Sequence, residues 1–107
     1  SRDFEGAIDQ FTGLLSGSIS DDLADNCHYW IGESFFGMKK YSEAIQSFQI
    51  VAGMTGSDKA DDAQFMIGNS YQSMGNKAAA KEAYQKLMTL YPSSPLIKRA
   101  KTKMSGL

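Results

Sequence analysis

The residues of this sequence that could do chemistry are few and poorly spaced for it. Cys27 and His28 are its only cysteine and its only histidine. Adjacent side chains on a helix point about 100° apart, so the two form neither a nucleophile–base pair nor a metal-ligand pair. Both read as packing residues. The acid pairs Asp21-Asp22 and Asp61-Asp62 could serve as a general acid and base, but each sits at an expected helix start, where the positive end of the helix dipole accounts for it. Met38 and Met74 lie 36 residues apart, which fits a repeated packing position better than a soft-metal site. The sequence contains no phosphate-binding loop, dinucleotide fingerprint, zinc-ligand pairing or nucleophile elbow. No enzyme activity, cofactor or metal is expected. The enzymatic alternative, a small hydrolase using Cys27 or the acid pairs, would require a pocket that converges on them.

Charge narrows the partners. With 11 basic and 12 acidic side chains and a net charge of −1, the chain carries no broad footprint for nucleic acid or an anionic membrane. Lys98, Arg99, Lys101 and Lys103 gather near the C-terminus, where a solvated helix face explains them. The longest apolar runs fall far short of the ~20 residues that a membrane-spanning helix needs. A length of 107 residues, 42% of them hydrophobic, suits one domain. One cysteine leaves the redox compartment open.

The elements that would position these residues are all helical. Phe4, Ala7, Ile8, Phe11, Leu14 and Leu15 mark an amphipathic helix over Asp3 to Ser16. A second helix is expected from a cap at Asp21 or Asp22 to about Met38, with Gly37 and Lys39-Lys40 marking its end. A return helix runs from Tyr41 to about Met54. The next pair spans Lys59 to Met74, capped by Ser57 and Asp58, and Lys77 to Tyr91, with Gly75-Asn76 between them and Pro92 after. Ser94-Pro95 reads as an N-cap and first helical position for a last helix carrying Leu96, Ile97, Ala100 and Met104 on one side.

These helices repeat. Gly32, Phe35, Ala44 and Phe48 recur 36 residues later as Gly68, Tyr71, Ala80 and Tyr84, and Phe4, Ala7 and Phe11 match Tyr41, Ala44 and Phe48 at a spacing of 37. Small residues fall where two helices come closest, Gly32 beside Ala44 and Gly68 beside Ala80, and one helix pair alone cannot bury its apolar face. A period in the thirties with this residue order and a trailing Pro92 resembles a tetratricopeptide (TPR) solenoid. The expected fold is therefore all-α, a TPR-like right-handed superhelix of antiparallel pairs. It divides into a partial repeat at 1–20, repeats at 21–56 and 57–93, and a capping helix at 94–107.

A finer likeness lies in Phe4-Glu5-Gly6-Ala7-Ile8, in the stretch from Ala24 through Asp25-Asn26-Cys27-His28-Tyr29-Trp30-Ile31-Gly32-Glu33 to Phe36 with its continuation Tyr41-Ser42-Glu43-Ala44-Ile45, and in Tyr91-Pro92-Ser93-Ser94-Pro95. These runs resemble the C-terminal TPR domain of the periplasmic, Tol-Pal-associated cell division coordinator family (YbgF-type). The resemblance implies a Gram-negative periplasmic adaptor that binds TolA and links outer-membrane constriction to peptidoglycan synthesis. A BamD-like outer-membrane assembly lipoprotein and a generic TPR scaffold are the alternatives of the same class. In TPR stacks the second, fifth, ninth and twelfth residues of each first helix face the concave groove. Counted from Asp25 and Asp61, that implies partner-binding roles for Asn26, Tyr29, Glu33 and Phe36, and for Asp62, Phe65, Asn69 and Gln72. Tyr29, Phe36 and Phe65 would be apolar anchors, and Asn69 would hydrogen-bond the docked backbone. Phe65 stands where a carboxylate clamp would have lysine, which disfavours recognition of a peptide C-terminus. The first helix, lacking an inner partner, is expected to leave apolar surface open to weak self-association.

Overall fold

The computed structural model describes the backbone of residues 2–107 and the side chains of residues 3–107; Ser1, with which the expected partial repeat begins, lies outside the described residues. Six helices follow one another: α1 (Arg2–Leu15), α2 (Asp21–Gly37), α3 (Tyr41–Ala52), α4 (Ala60–Ser73), α5 (Lys77–Leu90) and α6 (Ile97–Ser105). Each packs closely on its neighbours in the chain. The result is a slab of 41 × 30 × 17 Å built by stacking hairpins.

The hairpin α2–α3 turns where α2 ends in a left-handed residue. Lys39 has φ 62°; its N–H donates to Phe36 O at 2.9 Å and that of Lys40 to Phe35 O at 2.8 Å. This pair of bonds is a Schellman motif, which satisfies the last carbonyls of the helix. The hairpin α4–α5 repeats it, with Gly75 at φ 81° and bonds from Gly75 N to Gln72 O and from Asn76 N to Tyr71 O. Gly37, expected to mark the end of α2, is its last residue. A Cβ there would lie 2.4 Å from Phe4 Cζ, so this glycine makes room for the ring by which α1 docks.

Three caps differ from expectation. Helix α4 starts at Ala60 after Lys59, with no side-chain cap from Ser57 or Asp58. Ser20, not Asp21 or Asp22, caps α2, its hydroxyl accepting from Leu23 N at 3.4 Å. Helix α6 starts at Ile97 rather than beside Pro95, because the Ser94 hydroxyl holds a preceding turn by accepting from Leu96 N at 3.1 Å. The same hydroxyl donates to Asp61 Oδ2 at 2.6 Å. One repeat earlier, Ser57 donates to Asp25 Oδ2 and accepts from Lys59 N at 3.1 Å. Each first helix thus grips the turn that opens the next one through an aspartate and a serine.

The core lies along the seam of these hairpins. Phe48, Val51, Ala44, Ile45, Ala63, Ile67 and Ala83 form one cluster; Phe65, Ala80, Tyr84, Leu87 and Ala100 form another, which α6 covers. Gly32 and Gly68 were expected to face Ala44 and Ala80. What each meets is a ring: an added Cβ would lie 2.7 Å from Phe48 Cε1 at Gly32 and 2.4 Å from Tyr84 Cε1 at Gly68. On α1, Ile8, Phe11 and Leu15 are half-buried against α2, while Phe4 and Leu14 remain exposed.

Both rings are fully buried. Gly32→Ala and Gly68→Ala should therefore each cost ~1 to 3 kcal/mol through overpacking, against the roughly 1 kcal/mol that alanine gains in helix propensity. Lys39→Gly should raise stability by about 1 kcal/mol, since glycine adopts φ > 0 without strain. Urea unfolding of the three variants checks both signs, and wild-type midpoints for the two alanine variants would refute the ring contact.

Candidate partner-binding face

Helices α2 and α4 occupy equivalent places in successive hairpins, and their side chains meet across the gap between them. Tyr29 is half-buried, with its ring edge-on to Trp30 at 5.3 Å and against Phe48 at 5.6 Å. Glu33, one turn further along α2, is half-buried, and its Oε1 is enclosed without a hydrogen-bond partner. From the start of α4, Asp61 and Asp62 approach the same place. The Lys59 ammonium lies 5.1 Å from the centre of the Tyr29 ring and 5.6 Å from that of Trp30.

Of the eight residues expected on this face, the structure brings Tyr29, Glu33 and Asp62 together. Asn26 is exposed beside them, its amide donating to Asp22 O within its own helix. Phe36 turns toward the hairpin end, where its ring meets that of Tyr41 at 5.2 Å. Phe65 is not an open anchor: it is 4% exposed, packed on Tyr84 at 5.9 Å and covered by the Arg99 guanidinium at 5.0 Å. Asn69 is also committed internally. Its Oδ1 accepts from Tyr84 Oη at 2.6 Å and its amide nitrogen lies 3.3 Å from Met66 Sδ. Gln72 Oε1 is 2.9 Å from the same phenol. A phenol has one proton to give, so the shorter contact takes it; turning the Gln72 amide over makes the second a donated N–H. Three residues went unassigned by the sequence pattern. Trp30 is 44% exposed; Lys59 lies in the turn before α4, and Asp61 doubles as the Ser94 acceptor. A tryptophan beside Tyr29 and a lysine two residues before an acid pair were the available signals.

The cluster is electrostatically strained. Burial first, then the charge of Asp62, pushes the Glu33 carboxyl above its ordinary range, with Lys59 pulling back. Burial and then Asp61 do the same to Asp62, again opposed by Lys59. Burial, Glu33, Asp62 and Asp61, in that order, hold the Tyr29 hydroxyl far above the usual phenol value. Three carboxylates therefore surround one phenol, with a single ammonium among them. Cys27, by contrast, is a buried core thiol pushed up by desolvation, and burial lowers His28. Neither has the activated character of a catalytic group. Among the described residues no group of three or more His, Cys, Asp or Glu side chains could hold a metal ion, and no helix is long and apolar enough to cross a membrane.

Hairpins that each contact only the next, joined by recurring bonds, define a helical-repeat protein of the protein-interaction class. The tetratricopeptide repeat family matches residues 27–53 and 62–94, more than half of the chain, and the chain belongs to that family. A search of curated proteins finds no match. The repeat is a protein–protein interaction module and is in general not catalytic.

The raised carboxyls carry a signed consequence. The folded chain keeps protons on Glu33 and Asp62 at a pH where the unfolded chain has released them, so their ionisation costs stability at neutral pH. That cost disappears as pH falls through the raised values toward the ordinary range near ~4. Glu33→Gln should melt above wild type at pH 7, and the difference should shrink as pH is lowered to about 4. Thermal unfolding across that range tests it; a constant difference would place the effect elsewhere.

Proposed function

We propose that the face shared by α2 and α4 binds an extended segment of a protein partner, and that this partner is TolA in the Gram-negative periplasm, with the chain acting where outer-membrane constriction meets peptidoglycan synthesis during division. The observation that carries the binding face is the Tyr29–Trp30 pair, an exposed and a half-buried ring set edge to face beside an enclosed carboxylate oxygen without a donor. Aromatic anchors next to unpaired acceptors suit an incoming backbone or side chain. The identity of the partner and the compartment rest on the likeness of the Asp25-Asn26 to Gly32-Glu33 run and its flanking stretches to the Tol-Pal-associated family. Exposed Phe4 and Leu14 on α1 support a second, weak contact between copies, visible as concentration-dependent light scattering.

Alanine changes at Tyr29, Trp30 and Glu33, titrated against a TolA-derived segment by calorimetry, test the face. At least two should lose ~1 kcal/mol or more of binding free energy while remaining fully folded at the titration temperature. Phe65→Ala should behave differently, costing ~3 to 5 kcal/mol of stability because it empties a core position. Undiminished affinity in all three face variants would move the partner to another surface.

A further inference from the structure

The face already holds a cation of its own. Lys59 reaches it from the turn before α4, where the Ser57 hydroxyl fixes its backbone N–H while its ammonium rests on the faces of Tyr29 and Trp30. A ring face attracts a cation weakly and without fixed geometry, and the lysine stem is long and flexible. The ammonium can therefore leave without disturbing the helix start. Its presence leaves the site short of positive charge: Glu33, Asp61 and Asp62 outnumber it, and Glu33 Oε1 remains without a donor.

Resting on the reading of this face as the partner site, we infer that the bound protein segment presents a lysine or arginine side chain, whose cation displaces Lys59 from the Tyr29 and Trp30 rings and donates to Glu33. Charge complementarity selects that occupant. An acidic segment would meet three carboxylates, and a purely apolar one would leave the already enclosed Glu33 oxygen unpaired, a costly arrangement for a charged group. An arginine fits both halves of the site, stacking its plane on Trp30 while forking to a carboxylate. A lysine reproduces the contact that Lys59 makes now.

Trp30 is the only tryptophan, so its fluorescence reports on this place alone. The probes are N-acetylated, C-amidated Gly/Ser peptides with three evenly spaced lysines, arginines or glutamines. The lysine and arginine peptides should saturate the Trp30 signal at concentrations at least about tenfold below the glutamine peptide, as expected for charge-assisted contacts. Lys59→Met removes the internal competitor and should tighten the lysine peptide severalfold, whereas Glu33→Gln should weaken it. Equal binding of the glutamine peptide, weaker binding by Lys59→Met, or no signal change with any peptide to millimolar concentration would each overturn the inference. Concentration-dependent dimerisation abolished by Lys98→Gln with Lys101→Gln would overturn it as well, assigning the site to a second copy. The TolA-segment titration stands apart: if it still depends on Tyr29 and Trp30 after the peptides show no cation preference, the face stands and only the cation falls. If both fail, both readings fall.

Discussion

A ring laid on a glycine is the contact on which the rest of this structure depends. Phe48 against Gly32 and Tyr84 against Gly68 let the two helices of each hairpin close to a distance that any Cβ would prevent. The ring fills the seam from the second helix, and its other side supports the outer face. In the first repeat Phe48 backs Tyr29, and in the second Tyr84 backs Phe65. The two repeats share this stack and differ in where the hydroxyl sits. The first repeat carries its phenol on the face, at Tyr29, where it meets carboxylates. The second carries it in the seam, at Tyr84, where burial pushes its pKa up to about 12 and the hydroxyl donates to Asn69 Oδ1. The same two-ring stack thus holds its hydroxyl on the face in one repeat and in the seam in the other.

Closing a hairpin does not fix how the next one stacks, and here a polar contact takes over. Ser20, Ser57 and Ser94 recur at 37 residues, and Asp25 and Asp61 at 36. The Asp25–Ser57 and Asp61–Ser94 bonds tie the N-terminal turns of one first helix to the turn that opens the next. The serine then accepts from the backbone two residues on, so the same hydroxyl sets both the turn and its distance from the previous repeat. Asp25 is 4% exposed, and a bond to a buried carboxylate is worth more than one to a solvated group. On α6 the equivalent position is Lys98, which cannot accept.

Those same contacts explain how far the sequence could be read. The helices and their period were legible because the ring, the glycine and the buried alanine must be those residue types at those spacings. The end of α2 at Gly37 was legible too, but not the part the glycine plays there, since a glycine serves equally for φ > 0 and for a close approach. Gly37 does the second, and Lys39 takes the first. The face was half legible. Counting along α2 found Tyr29 and Glu33, but the same count on α4 gave Phe65, whose exposure depends on α6 and on Arg99, a contact far along the chain that periodicity cannot encode. Lys59 escaped the count for a related reason: the reach of a loop side chain onto a neighbouring helix leaves no periodic trace, only a local charge pattern.

The mismatch between repeats also orders the face along its length. Asn26, Asp62 and Arg99 hold corresponding positions on α2, α4 and α6. Neutral, acidic and basic groups therefore follow one another across three helices of equivalent role. Arg99 spends its guanidinium on the Phe65 ring, which seals the core there and leaves its charge at the surface. Near α2 and α4 the carboxylates gather around Tyr29, whereas α6 carries Lys98, Arg99, Lys101 and Lys103 and no acidic residue, although the net charge of the whole chain is only −1. A segment laid across these helices would meet opposite charges at its two ends, and complementarity of that form fixes orientation and register more than it adds affinity. The seam contacts that distinguish Tyr29 from Phe65 thus also separate the open, acidic part of the face from the sealed, basic part.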